Sequence, residues 1–246
     1  MSTALPPHLL VFAREPELGR VKTRLAAGIG DEAALAVYRE LLALSAAAVT
    51  AAQVPATVWL AEAPAGADPT QPRPEWLGLP WRVQPAAGTL GERMRQAFSE
   101  ALAAGAGRVV IIGTDCPGLS ADLLRQAFDQ LLNHELVVGP ADDGGYYLLG
   151  MNKLHPELFA NKAWSMASVL PDTLADAARL GLRVAHLPTL HDVDSAQDLA
   201  TWREHAGSGG GHKGAAPASG PDSTRQQPRP APPVFEGQPP RPPRQP

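Results

Sequence analysis

The run RVVIIG at residues 108–113 constrains this chain most. After Arg108 it is apolar throughout, with no polar residue alternating along it. A strand of that kind is covered on both faces, which places it inside a sheet with helices on either side. Thr114, Asp115 and Cys116 follow, and Pro117 forbids a further ladder bond. Ser120 then caps a helix that carries Leu123, Leu124, Phe128 and Leu131 at helical spacing.

The same alternation runs through residues 1–206. Strands are predicted near residues 9–13, 56–61, 81–84, 135–138, 146–150 and 182–187. Between them, Asp31 is expected to cap a long helix with Leu35, Tyr38 and Leu42, and residues 91–104 place Met94, Phe98, Ala101 and Leu102 on one helical face. Residues 62–80 are proline-rich and read as loop. Ser195 and Asp198 open the last helix. Strands separated by helices imply an α/β fold, a three-layer α/β/α sandwich with a mainly parallel sheet. Ligands of such sheets sit beyond the carboxyl ends of the strands, here the loops after Ala13, Gly113 and Val138.

Composition sets the outer limits. A formal charge of −4 gives no reason to expect nucleic acid or an anionic membrane as partner. The single cysteine, Cys116, excludes an intrachain disulfide and a cysteine-rich zinc site, and it fits a cytoplasmic location. No membrane span or targeting segment is expected, since the apolar run at the start is short and no basic stretch precedes it. From Gly207 proline and glycine dominate, so residues 207–246 are expected to be a disordered tail. Its PPRPPRQP ending could act as a weak protein-docking segment in polyproline II form, although a solvated tail without a partner is the simpler reading.

Chemistry concentrates in the loops. After Ala13 the segment AREPELGRVKTRL carries Arg14, Arg20, Lys22 and Arg24, with Gly19 free to turn sharply. Such cations can hold a pyrophosphate, although the loop lacks the glycine spacing of a P-loop and can also be read as a solvated basic turn. Asp115 stands past the buried strand, where a carboxylate can present oxygen to Mg²⁺ or Mn²⁺; a turn or capping role is the alternative. In GPADDGGYY, Asp142 and Asp143 suit a metal, a sugar hydroxyl or an acceptor cation. Gly139 opens that segment, Gly144 and Gly145 let backbone pass close to a ligand, and Tyr146 and Tyr147 alternate on the next strand. A DG hairpin turn is the competing explanation. Asp192 and Asp194 lie between the last strand and helix, where one can face a metal and the other the helix start. His191 beside them is either a general base or only a solvated or packing residue. In QPAAGTLGERM, Gln84 and the glycines, Gly91 among them, offer a nucleobase or ribose pocket, and Arg93 can reach a phosphate.

Five blocks in order, FAREPELGRVKTRL, GTLGERM, GTDCPGL, GPADDGGYYLLG and HDVDSAQDLA, resemble the uncharacterised bacterial glycosyltransferase-like proteins of the DUF2064 type, within the GT-A superfamily. The pattern is more distantly similar to nucleotidyltransferases of molybdenum-cofactor and deazaflavin-cofactor synthesis. The match spans roughly residues 8–204. It implies a GT-A nucleotide-binding fold. Arg14, Gly19, Lys22 and Arg24 would belong to the phosphate loop. Asp115 would be the superfamily's metal aspartate, with Asp194, or else Asp192, as the second carboxylate. Gly139, Asp142, Asp143 and Gly144 would form the acceptor loop. Family members carry Trp-Ser-Thr where this chain has Trp164, Ser165 and Met166, so one hydroxyl near the acceptor is missing.

The expected protein is therefore a Mg²⁺- or Mn²⁺-dependent transferase that takes a nucleotide or nucleotide-sugar and a small-molecule acceptor. Lys22, Asp142 and Asp143 are its catalytic candidates. Attack at the sugar carbon gives a glycosyltransferase, the preferred reading. Attack at the α-phosphorus gives a nucleotidyltransferase that releases pyrophosphate. A nucleotide-binding protein without turnover is the remaining alternative.

Overall fold

β1 (Pro7–Ala13), β2 (Ala56–Leu60), β3 (Trp81–Val83), β4 (Arg108–Ile112), β5 (Leu136–Pro140), β6 (Tyr146–Met151) and β7 (Val184–His186) form one sheet in the order β3-β2-β1-β4-β6-β5-β7. The computed structural model describes residues 5–62, 66, 68, 71, 73–76 and 78–208. The proline-rich tail and its docking segment, from residue 209 on, lie outside the described residues.

The sheet is mainly parallel, as the alternation of strands and helices predicts. Only β6 is reversed, running antiparallel to both β4 and β5. A parallel return needs a long crossover. The few residues between β5 and β6 can make only a hairpin, so the DG signal is structurally real. Gly139 and Pro140 break the register there.

Side chains alternate across the sheet into two apolar layers. Leu9, Val11, Val58, Val110, Ile112 and Val137 face α2 (Asp31–Ala52) and α4 (Ala121–Gln130). Leu10, Val109, Ile111, Val138 and Leu149 face α3 (Leu90–Ala103) and α5 (Val169–Arg179). β4 is thus buried on both faces. By length and composition α2 could pass for a membrane span, with a mean hydropathy of 1.4. Its Leu35, Tyr38, Leu42 and Val49 are buried in the core, so it is a core helix of this domain.

Local chemistry explains most of the helix ends. Ser120 Oγ accepts the N–H of Leu123, as predicted. α6 (Ala196–Ser208) starts at a reciprocal capping box, in which Asp198 accepts the N–H of Ser195 at 2.7 Å and Ser195 Oγ accepts that of Asp198. Thr89 and Glu92 make the same device at α3. The T-x-x-E pattern stands in the sequence, and the helix begins one residue before the predicted Gly91.

Three expectations are corrected. Asp31 is not a cap: Gly30, at φ 87°, holds that position, and Asp31 lies in the first turn with Glu32. There a carboxylate favours the positive end of the helix dipole without bonding the backbone. The basic loop is also shorter than expected, because α1 (Thr23–Ile29) begins inside it and Arg24 is helical. α5 lacks a counterpart among the predicted elements. It carries Pro171 in its first turn, where no N–H is needed.

Candidate active site at the carboxyl edge of the sheet

Lys22 anchors the site. It precedes α1 in the left-handed conformation, φ 50° and ψ 43°, uncommon for a residue with a β-carbon. Leu25, one turn on, is fully buried beside α2 and Val193. This fixes the backbone and sends the lysine side chain inward, where it is only 5% exposed. Its ammonium donates to Asp194 Oδ1 at 2.7 Å and pairs with Asp115 Oδ1. Burial alone would lower the lysine pKa, but the two carboxylates outweigh it and raise the value. Arg24 Nη1 lies 3.5 Å from the other oxygen of Asp194.

Backbone bonds bring these distant carboxylates together. The stretch 190–194 runs beside the ends of β5 and β4. Leu190 N–H donates to Pro140 O, Asp142 N–H to Leu190 O, and Val193 N–H to Asp115 O. That path sets Asp194 over β4 and His191 over the β5–β6 turn. His191 Nδ1 lies 2.6 Å from Asp142 Oδ2. Asp142 also accepts a hydrogen bond from Asp192. Burial pushes Asp192 up to about 7, helped by its bond to Asp142 and by the charges of Asp143 and Asp194. Burial would also raise Asp142, but its bonds to His191 and Asp192 hold it below the usual carboxylate range. The same bond to Asp142 raises His191.

The remaining candidates sort by what they touch. Arg14 is exposed and has no ion pair among the described residues. Its backbone is pinned, since its N–H donates to Tyr38 Oη at 2.9 Å and Tyr38 donates back to its carbonyl. Ala13 is buried, and its carbonyl accepts the N–H of Ala61. Gly19 turns at φ 72°. Arg20 spends its charge on Glu17 and Glu62. The loop is thus far less cationic than its sequence suggests, because Arg20, Lys22 and Arg24 each meet a carboxylate. Gln84, 5% exposed, donates to Trp59 O and accepts from Arg93 Nη1 at 2.9 Å, so its amide is engaged within the protein.

Asp143 does not join Asp142: its carboxylate accepts the N–H of Gly145 at 2.7 Å and closes its own turn. Gly144, at φ 89°, lies against Ala167, and the N–H of Leu170 donates to its carbonyl. Gly91 lies under the indole of Trp164 and Gly139 under the ring of Tyr147; a methyl group at either would fall inside the aromatic ring. The segment around Trp164 therefore bridges α3 and the β5–β6 turn. Tyr146 packs in the apolar layer with a buried hydroxyl that has no partner among the described residues. Cys116 is 6% exposed. Burial pushes its thiol pKa up, and Asp115 and Asp192 act in the same direction, which leaves an inert thiol.

The strand order, the single reversed strand and the polar cluster beyond β4 define a three-layer α/β domain of the GT-A, nucleotide-diphospho-sugar transferase type. The chain belongs to the family described as uncharacterized protein conserved in bacteria (DUF2064), which matches residues 44–166. A candidate nucleotide-diphospho-sugar transferase from Desulfovibrio desulfuricans G20 is 31% identical, with a TM-score of 0.75 over 83% of this chain and 89% of that one. Two more distant structures share the fold. Rv0371c from Mycobacterium tuberculosis H37Rv, in complex with manganese, is 19% identical, with a TM-score of 0.52 over 82% of this chain and all of that one. A nucleotidyl transferase from Methanothermobacter thermautotrophicus is 15% identical, with a TM-score of 0.52 over 81% and 97% of the two chains. No protein of curated function matches the sequence.

Proposed function

We propose that this protein is a divalent-metal-dependent transferase acting on a nucleotide-activated small molecule, and that its reaction is glycosyl transfer from a nucleotide-sugar. The observation that carries the reading is the pair Asp115 and Asp194, two carboxylates from separate segments that share one buried cation beyond the central strand. The description of the Desulfovibrio relative supports the choice of donor.

The donor set fits a hard cation. Both ligands are carboxylates, each already faces a positive charge, and Asp115 is 48% exposed, so outside ligands can reach it. The described residues contain no cluster of three or more His, Cys, Asp or Glu able to hold a metal ion. Mg²⁺ typically takes one or two carboxylates and completes its shell with phosphate and water. Asp115 and Asp194 would hold the ion, with Asp192 nearby. When bound, it offsets the charge that grows on a departing diphosphate.

The chain's own residues supply the rest. Lys22 and Arg14 hold phosphate oxygens, the first as a point charge and the second by its fork. Arg93, in the first turn of α3 and bonded to Gln84, is a further candidate for a phosphate oxygen. Asp142 accepts the proton of an acceptor hydroxyl, with His191 bonded behind it. Asp143 is less suited to this role because its carboxylate closes the turn. Gly144 and Trp164 shape the acceptor wall, and Gly139 and Tyr146 support it from beneath, the one under the ring of Tyr147 and the other packed in the apolar layer. The lone cysteine, a free thiol, supports action in the cytoplasm.

Calorimetric titration of the full chain tests the proposal. The panel is the common nucleoside triphosphates and nucleotide-sugars, each with and without Mn²⁺, on the wild type and Asp115→Ala. Metal-dependent binding of a nucleotide-sugar, lost in the variant, is the expected result. Preference for a free triphosphate would move the assignment to nucleotidyl transfer. Binding indifferent to metal and to Asp115 would point to a nucleotide-binding protein without turnover.

A further inference from the structure

Lys22 occupies the place that a metal bound by Asp115 and Asp194 needs. Its ammonium bonds one oxygen of each carboxylate, and its side chain is almost wholly enclosed. A divalent cation entering between those oxygens meets a positive charge at bonding distance from both. The two cations cannot share the position, so one must leave. Lys22 cannot simply lose its partners either, because a buried ammonium stripped of counterions is strongly unfavourable. It needs a second anion to move to.

The local backbone allows such a move. The carbonyl of Lys22 accepts the N–H of Ala26 at 2.8 Å, and Leu25 anchors the first turn of α1, so the Cα is fixed. Beyond that point the four-carbon stem has rotatable bonds, so the enclosed ammonium can be redirected without moving the Cα. Arg14, exposed and without an ion pair among the described residues, marks the same loop as a place where an incoming phosphate finds positive charge. Arg24, at 3.5 Å from Asp194, can keep that carboxylate partly compensated while Lys22 moves.

We infer that Lys22 is a placeholder for the metal: in the nucleotide-free protein its ammonium bridges Asp115 and Asp194, and a divalent cation gains those carboxylates only when a phosphate group draws the lysine away. This inference rests on the metal-dependent reading above and adds an order to it. Metal and nucleotide are positively coupled, and by linkage each strengthens the other by the same factor. The bare protein binds metal poorly although both carboxylates are intact. Lys22 is then a positioning residue before it is a phosphate ligand, since it holds the two carboxylates in register while the ion is absent.

The test is Mn²⁺ binding followed by electron paramagnetic resonance on the full chain without nucleotide, for wild type, Lys22→Met and Lys22→Gln. Removal of the resident charge is expected to tighten Mn²⁺ binding by about 10-fold or more, within the usual span of coupling between sites. Asp115→Asn added to either variant should abolish the gain, which assigns it to this site. Circular dichroism establishes that each variant is folded, and the shorter, neutral and polar glutamine serves if methionine at this position disrupts α1. Equal Mn²⁺ affinity in wild type and folded variants would overturn the placeholder role and leave the transferase reading intact. No Mn²⁺ binding by any form, even with the nucleotide-sugar panel present, would remove the metal reading and this inference together.

Discussion

Val193 donates its backbone N–H to the carbonyl of Asp115 at 3.0 Å, and its side chain is fully buried with Leu25 and Leu41. One residue therefore ties the end of the central strand to the segment bearing Asp194, and ties both to α1 and α2. Val193→Ala removes two buried methyl groups and should cost about 2 kcal/mol of stability, read from urea unfolding. Because Asp194 is the next residue, metal-dependent nucleotide binding should weaken as well. A fall in stability with unchanged binding would show that Asp194 is placed without this packing.

Gly91 and Trp164 make a second such contact. The glycine gives the indole its seat on the first turn of α3, where no β-carbon can be accommodated. Gly91→Ala must push Trp164 aside, an overpacking expected to cost about 1–3 kcal/mol. Trp164 also lies on the segment that covers Gly144, so its displacement should disturb the acceptor wall more than the nucleotide loop. A changed tryptophan emission with turnover lost and nucleotide binding kept is the expected pattern. Equal loss of nucleotide binding would place Trp164 in the donor site.

Arg14 offers a cleaner probe of the donor loop. Its guanidinium is exposed and its backbone is already fixed by Tyr38. Arg14→Ala should leave the melting temperature within a degree or so, while weakening nucleotide binding roughly 10-fold, the scale of one charge-assisted hydrogen bond. A variant that unfolds, or one that binds as the wild type does, would remove Arg14 from the phosphate site.

The fold was largely legible because β4 announces itself. An apolar run that ends in TDCP and is followed by Ser120 admits little except a buried strand, a tight turn and a capped helix. Capping chemistry located α6 through Ser195 and Asp198. Asp31 misled because an acidic residue at a helix start fits a cap and a dipole partner equally well, and only the φ of Gly30 separates them. Within the site, each candidate residue type was visible, but its partner was not. Nothing in the sequence joins Lys22 to Asp194 or His191 to Asp142; those pairs depend on the path of residues 190–194 across two strand ends. The charge of the loop after β1 was overstated for a related reason: apart from Glu17 in the loop itself, the carboxylates that neutralise it, Glu62, Asp115 and Asp194, follow β2, β4 and β7.

Cys116 should prove dispensable to chemistry. It neighbours Asp115, yet burial keeps its thiol protonated. Cys116→Ala is expected to retain turnover within about two-fold and to cost on the order of 1 kcal/mol in stability for the small void. The wild type should also resist thiol-modifying reagents until it is denatured. Rapid labelling of the folded protein, with loss of turnover, would contradict this assignment.

The buried ion pair of Lys162 and Asp176 gives a prediction with a definite pH signature. Lys162 is 1% exposed and donates to Asp176 at 2.7 Å, while Asp176 is 26% exposed and also pairs with Arg179. The two partners are therefore unequal. Asp176→Asn strands a buried ammonium and should cost about 3 kcal/mol, whereas Lys162→Met leaves a carboxylate that keeps Arg179 and some water, at about 1 kcal/mol. The bond from Lys162, with that from Arg179, holds the Asp176 carboxyl below its ordinary 3.8. A carboxylate whose folded pKa is depressed stabilises the fold above its unfolded pKa, and that contribution disappears as pH falls through the folded value. The stability gap between wild type and Asp176→Asn should therefore be constant near neutral pH and shrink only below about 3.8. Unfolding by urea across that range would measure it. A gap that closed well above that pH would mean that Asp176 is not the group holding Lys162.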